Sequence, residues 1–254
     1  LRNEAGYNNY KIPKMPLDIC VADSQGGIGY MIERQIYNLF KDQKIKKNVV
    51  TLVTQVLVDK DDPAFENPTK PVGAFYLKEE ADLLARVNNF VFKEDPRKRG
   101  WRRVVPSPQP IDNLNKKVMK DLVSKGNLVI ASGGGGVPVY RGEDKKLYGV
   151  EAVIDKDHAS ALLAQEIGAA AFYILTDVPK VYLRFHKSDQ KALDVITADE
   201  AQKYFDDGEF TAGSMGPKIL AAIKFVKGGG KETVITESTM LGNPEGGARI
   251  ISSK

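Results

Sequence analysis

The sequence predicts an α/β fold in which a mainly parallel sheet is covered by helices. Three observations carry that expectation. The run Val49-Val50-Thr51-Leu52-Val53-Thr54-Gln55-Val56-Leu57-Val58 is nearly continuous in apolar and β-branched residues, the pattern of a strand buried on both faces. Further strand-like runs follow at 127–132, 170–176, 181–185 and 232–237, with helical stretches between several of them, and such alternation favours parallel pairing. Two of those stretches carry a helix stripe: 155–167 through Ala159, Leu162, Leu163 and Ile167, and 215–226 through Ile219, Ala222, Ile223 and Val226.

The predicted helices begin at interpretable signals. Asp155 or Asp157 is available to cap the 155–167 helix, and Pro217 suits the first position of a helix. Residues 31–40 place Ile32, Ile36 and Phe40 at helical spacing behind the glycine-rich Ser24-Gln25-Gly26-Gly27-Ile28-Gly29-Tyr30, so a helix is expected to start there. Residues 59–110 differ in texture. They hold Pro63, Pro68, Pro71, Pro96, Pro106, Pro108 and Pro110, seven of the thirteen prolines, with the charge cluster Lys93 to Arg99. Phe75, Tyr76, Phe92 and Trp101 supply apolar anchors, so an inserted lid or protruding lobe is expected rather than a disordered loop.

With 254 residues and 42% apolar content, the chain is long enough for one large α/β domain with an inserted lobe, and a single domain over 1–254 is expected. Its 37 basic and 33 acidic side chains leave a formal charge of +4, too small and dispersed for a nucleic-acid track; an acidic small molecule is the expected partner. One cysteine, Cys20, excludes an internal disulfide. With no signal segment or long apolar run, it points to the cytoplasm and away from a membrane. The chain opens at Leu1 without a methionine, and its first 14 residues show no periodicity, so the start is expected to be an interior one.

Three lysines stand where an anion would explain them. Lys218 lies in the opening turn of a helix, in Gly213-Ser214-Met215-Gly216-Pro217-Lys218, where free N–H groups already make the end electropositive. Lys156 sits between Asp155 and Asp157 at another helix start, and Pro68 and Pro71 are expected to hold Lys70 in a stiff loop. Gly133-Gly134-Gly135-Gly136 follows the strand-like Leu128-Val129-Ile130-Ala131, where backbone N–H groups can approach a ligand closely. Phosphoryl transfer asks for such a set: cations on the moving oxygens, carboxylates to set the cations or Mg²⁺, and backbone donors. Lys70, Lys156, Lys218, Asp157 and the glycines supply it.

Other chemistries find less support. Pro138 stands where the dinucleotide fingerprint needs its last glycine, and no Gly-x-x-x-x-Gly-Lys-Ser/Thr occurs. His158 and His186, the only histidines, have no Cys or Glu at ligand spacing for zinc, and no protein metal site is expected. There is no Gly-x-Ser-x-Gly elbow, and Cys20 reads as a core residue. Arg99-Gly100-Trp101-Arg102-Arg103 is a short basic cluster of the kind found on a loop or an anion site.

Taken in order, the segments from about residue 15 onward resemble the carbamate kinases of the amino acid kinase family. The resemblance rests on Met15-Pro16-Leu17-Asp18, Ser24-Gln25-Gly26 with Ile28-Gly29-Tyr30, Thr54-Gln55-Val56, Asn67-Pro68-Thr69-Lys70-Pro71, Arg99-Gly100-Trp101-Arg102 and Val104-Val105-Pro106-Ser107-Pro108. It continues through Gly133 to Gly136, Gly149 to Asp157, Leu175-Thr176-Asp177-Val178, and Gly213-Ser214-Met215 with Pro217-Lys218. It implies a three-layer α/β/α sandwich with an open, mainly parallel sheet and a small protruding subdomain, assembled as a homodimer. The implied reaction is reversible phosphoryl transfer between ATP and carbamate, giving ADP and carbamoyl phosphate with Mg²⁺, run toward ATP at the end of arginine breakdown.

By motif, Lys70, Lys156 and Lys218 would contact transferring or nucleotide phosphates and Asp157 would orient lysines. Thr176, Asp177, Met215 and Lys218 would lie along the nucleotide; Ser24, Gln25, Gly26, Gly133, Gly134 and Gly135 would line the carbamate side. Two departures stand out. The family's amino-terminal strand with its Gly-Gly-Asn loop and its His-Gly-Asn-Gly-Pro-Gln loop have no counterpart here, and Glu94-Asp95-Pro96-Arg97-Lys98-Arg99 replaces the usual Glu-Asp-Ala-Gly-Arg of the lid. The alternatives are a relative acting on acetylglutamate, glutamate or uridylate, and a non-catalytic nucleotide-binding module.

Overall fold

The computed structural model describes residues 6, 9–211, 213–243 and 245–253. The expectation about the chain's start at Leu1 falls largely outside them. The α/β class is as expected, and the chain forms two compact units, Leu1–Leu114 with Leu122–Asp155, and Asn115–Asp121 with Lys156–Lys254.

The first unit opens with α1, Leu17–Asp42, which starts 14 residues before the helix expected at Met31. Glycine inside a helix costs about 1 kcal/mol relative to alanine, so Gly26, Gly27 and Gly29 read locally as a break. Tertiary contacts offset that cost. Glu151 accepts from the Leu17 N–H at 2.7 Å, and a Cβ at Gly29 would run into the Thr51 methyl, so the glycine lets the helix lie close against the next strand.

The run 49–58 is not one strand. It divides into β1, Val49–Thr51, and β2, Gln55–Leu57. The break centres on Thr54, fully buried, whose N–H is taken by Gln25 Oε1 at 2.8 Å and whose carbonyl accepts from Val137 at 2.8 Å. Its neighbours are also uneven in burial, with Val56 at 0% and Val53 at 46% exposure, so the run is not buried on both faces throughout.

Residues 59–110 fold on themselves. They form β3 (Lys70–Tyr76), α2 (Lys78–Asn88), β4 (Val91–Glu94) and β5 (Trp101–Val105), with β5 central in an antiparallel sheet between β3 and β4. Tyr76 meets Phe92 edge-on at 5.7 Å, Lys78 lies over Trp101 at 4.4 Å, and Phe75 is flanked by Arg99 and Arg102. The ends of the segment are tied together: Gln109 N–H donates to Asp62 Oδ2 at 2.9 Å, and β6 (Asp112–Asn113) pairs back on β2. After α3 (Lys116–Ser124), β7 (Leu128–Ile130) pairs parallel with β1. Next, β8 (Val137–Arg141) pairs parallel with β2, and β9 (Leu147–Gly149) pairs antiparallel with β8.

In the second unit, α4 (Lys156–Ile167) and β10 (Ala171–Thr176) follow the predicted ranges closely, as does β11 (Val181–Leu183). After these come β12 (Lys191–Leu193), β13 (Val195–Thr197), α5 (Ala198–Asp206), α6 (Met215–Lys227), β14 (Glu232–Glu237) and β15 (Ala248–Ile251). The sheet order is β10-β14-β15-β13, parallel at β10/β14 and β13/β15 and antiparallel at β14/β15. Ile219, Ala222, Ile223 and Val226 of α6 are buried, as their spacing predicts. On α4 the buried apolar residues are Ala159, Ala161 and Ala164, while Leu162, Leu163 and Ile167 are only half-buried. Small side chains on that face let α6 pack close, with Ala161 and Ala164 joining Ala222, Phe225 and Ile235 in one core. Among the described residues, no helix is long and apolar enough to cross a membrane.

Candidate active site

In the second unit, Asp157 and Lys218 are brought together by the two packed helices. Asp157 lies in the first turn of α4, where a carboxylate is favoured by the exposed N–H groups. Lys218 is the fourth residue of α6, because that helix begins at Met215; Pro217 therefore occupies its third position, not its first, and its missing N–H is still one the helix leaves unpaired. Lys218 Nζ reaches Asp157 Oδ2 at 2.9 Å, and both side chains are nearly out of solvent, at 11% and 9% exposure. Lys156 Nζ lies 3.4 Å from the same oxygen but is 59% exposed. One carboxylate thus holds an anchored cation and a solvent-facing one.

Thr176 ends β10 and donates its hydroxyl to Asp177 at 3.1 Å, while Met215 packs at the margin of the core where α6 begins. Thr211 and Ser214 hydroxyls pair at 2.7 Å just ahead of that helix.

In the first unit, Lys70 is not in a loop. It is the first residue of β3, aligned with Val105 of β5, and its ammonium reaches Asp155 Oδ2 at 2.6 Å. Pro71 is compatible with a strand that has only one neighbour in its sheet. The glycine run after β7 forms a single tight turn: Ser132, Gly134, Gly135 and Gly136 all have positive φ, and Gly135 is pressed so closely on the Ile154 carbonyl that a side chain there would collide with it. Ser132 is buried, its N–H donating to Thr54 Oγ1 at 2.9 Å.

Gln25 and Gly133 are neighbours: a Cβ at Gly133 would lie 3.5 Å from Gln25 Cγ. The Gln25 amide, however, spends both ends on the backbone of Thr54, at 2.8 and 3.3 Å, and Ser24 Oγ donates back to the Cys20 carbonyl at 2.9 Å. Ser24, Gln25, Gly133 and Gly134 line one cavity of about 450 Å³ whose remaining walls are largely apolar, Leu17 and Ile130 among them. Sequence reasoning assigned Asp155 only a helix-capping role; its pairing with a lysine 85 positions away left no local signal except the doubled aspartate around Lys156.

The model of the amino acid kinase family matches residues 39–237. The chain belongs to that family. Carbamate kinase of Pyrococcus furiosus is 50% identical over 235 residues, 92% of this chain and 74% of the relative. Carbamate kinase 2 of Enterococcus faecalis is 46% identical over 94% of this chain and 75% of its own. Among solved structures, the Giardia lamblia carbamate kinase bound to citric acid superposes with a TM-score of 0.90 at 43% identity, covering 99% of this chain and 79% of that one. The form of the Giardia enzyme bound to AMP-PNP gives 0.89 at 44% identity, covering 100% and 80%.

Proposed function

We propose that this member of the amino acid kinase family transfers a phosphoryl group reversibly between ATP and carbamate, giving ADP and carbamoyl phosphate. The observation that carries it is the buried Asp157–Lys218 pair, with Lys156 beside it, at the opening turns of two packed helices. Helix N-termini and lysines favour anions together, and little covalent chemistry is asked of the protein in phosphoryl transfer. Carbamate brings its own negatively charged oxygen as nucleophile, so no strong base is needed.

Lys218 and Lys156 would neutralise charge on nucleotide and transferring phosphate, with Asp157 fixing their direction. Lys70 would do the same from its place on Asp155. Thr176, Asp177 and Met215 would lie along the nucleotide. Gly133 to Gly135 and Ser24 to Gly26 would line the carbamate side, Gln25 acting through the Thr54 backbone it holds. Residues 59–110 would serve as a lid.

Mg²⁺ would enter on the nucleotide, where it screens phosphate charge. Such an ion would be held mainly by phosphate oxygens and water. A homodimer, a cytoplasmic location and a role in making ATP from arginine breakdown complete the proposal. A coupled assay for ATP formed from carbamoyl phosphate and ADP tests it, run beside acetylglutamate, glutamate and uridylate as acceptors in the ATP-consuming direction. Turnover of one of these three and none of carbamoyl phosphate would overturn the assignment.

A further inference from the structure

We infer that Asp155 is a positioning residue for phosphoryl transfer, acting through Lys70. This rests on the function proposed above and deepens it, because it gives the two aspartates around Lys156 separate duties. Asp157 serves Lys218 and Lys156; Asp155 serves Lys70.

The Lys70–Asp155 contact is built by the backbone around it. Lys70 opens β3 opposite Val105, which is 2% exposed. The next residue, Pro106, accepts from the Val153 N–H at 3.0 Å, so the corner at Val105 and Pro106 ties the start of β3 to the segment ending in Asp155. That segment is pinned in turn: Ala152 and Ile154 are fully buried, and Ile154 is pressed against Gly135. Lys70 and Asp155 therefore leave a common, rigid frame with 2.6 Å between their charged atoms.

Stability does not explain the pair. At 30% and 19% side-chain exposure it is reached by solvent, and partly exposed ion pairs add little to folding. Its effect falls on order. A lysine side chain is flexible over several rotatable bonds, and a short charge-assisted hydrogen bond confines it before any phosphate arrives. A cation held in one place lowers the reorganisation left for the transition state, where a misplacement of about 1 Å can cost about a hundredfold in rate.

The test is a double-mutant cycle on the complete enzyme, read by ATP formation from carbamoyl phosphate and ADP. Asp155→Asn should lower kcat by about ten- to a hundredfold with a smaller change in the KM for ADP, and Asp155→Glu should restore part of the loss. In a Lys70→Ala background, Asp155→Asn should do nothing further. A general structural role would instead show the same loss in both backgrounds, and that result overturns the inference, as does an unchanged kcat in Asp155→Asn. Independently of turnover, acylation of Lys70 by an amine-reactive acetylating reagent, followed by peptide mass spectrometry, should rise several-fold in Asp155→Asn while Lys78, paired with Asp82, stays constant. A wild-type enzyme that forms no ATP from carbamoyl phosphate overturns the functional assignment and the positioning role with it; the labelling arm still reports whether the pair exists.

Discussion

Lys218 Nζ sits 2.9 Å from Asp157 Oδ2 with both side chains almost withdrawn from water, whereas Lys156, 3.4 Å from the same oxygen, is 59% exposed. The two lysines share a partner and differ in solvation, so their removal should have different consequences. Lys218→Met leaves a buried carboxylate whose neighbouring lysine, Lys156, is largely in solvent, and should cost about 3 kcal/mol of stability, together with about a hundredfold in rate. Lys156→Met should lose a similar factor in rate with stability unchanged. Urea unfolding beside the ATP-forming assay separates the two; equal stability for both variants would mean that Asp157 does not depend on Lys218.

Gly134 and Gly135 both have positive φ, yet only Gly135 would place a side chain against backbone, the Ile154 carbonyl; nothing lies within 4 Å of a Cβ at Gly134. Gly134→Ala should therefore cost only the backbone strain, about 1–2 kcal/mol. Gly135→Ala should cost more, by about 1–3 kcal/mol for the forced displacement, and should also depress turnover, since Ile154 precedes Asp155. Denaturant midpoints of the two variants give the comparison directly, and equal midpoints would refute it.

The β4–β5 turn carries a pH-sensitive clasp. Asp95 receives Nε and an Nη of Arg99 at 2.9 and 3.0 Å, and those hydrogen bonds, with the charge behind them, lower its carboxyl from 3.8 to about 2. A carboxyl depressed in the folded chain stabilises the fold above its unfolded value and ceases to do so as pH falls through the folded value. The turn should thus hold its order down to about pH 4 and lose the clasp between there and about 2. An NMR titration of the Asp95 carboxyl should show this low midpoint, and Arg99→Ala should return it toward the ordinary aspartate range; a wild-type midpoint already in that range would exclude the clasp.

Cys20 is half-buried in the first turn of α1, and burial, followed by the charge of Asp23, raises its thiol above the usual value. The thiolate is the reactive form. Alkylation by iodoacetamide at pH 8 should be slower than for a free cysteine and should accelerate on unfolding. As the chain has no other cysteine, intact mass reports the reaction without ambiguity. A rate equal to that of a free thiol would place Cys20 in open solvent.

Elements whose signals are local were legible residue by residue. The α6 stripe fell where it was expected, β14 occupied residues 232–237 as its composition indicated, and α4 began one residue after Asp155. The lysines were recognisable as candidates because each stood beside a helix start or between prolines. What each lysine touches was not legible, since Lys70 meets Asp155 across 85 positions and Lys218 meets Asp157 across 61. Of the alanine face of α4 only Ala159 was in the predicted stripe, for a related reason: periodicity weighs Leu162 and Leu163 most heavily, but close approach of α6 selects the smallest side chains, Ala161 and Ala164 among them.

The amino-acid sequence by itself determined the α/β class, the α4 and α6 helices and the β10, β11 and β14 strands of the second unit, and the inventory of cations, carboxylates and glycines from which a phosphate site can be made. Tertiary structure decided where α1 begins, why the 49–58 run breaks at Thr54, and which carboxylate holds which lysine. The division follows from range. Hydrogen-bond periodicity and side-chain spacing act within a few residues, whereas a glycine set against Thr51, an amide committed to a distant backbone, or a lysine aligned with its aspartate exists only once separate segments have been packed together.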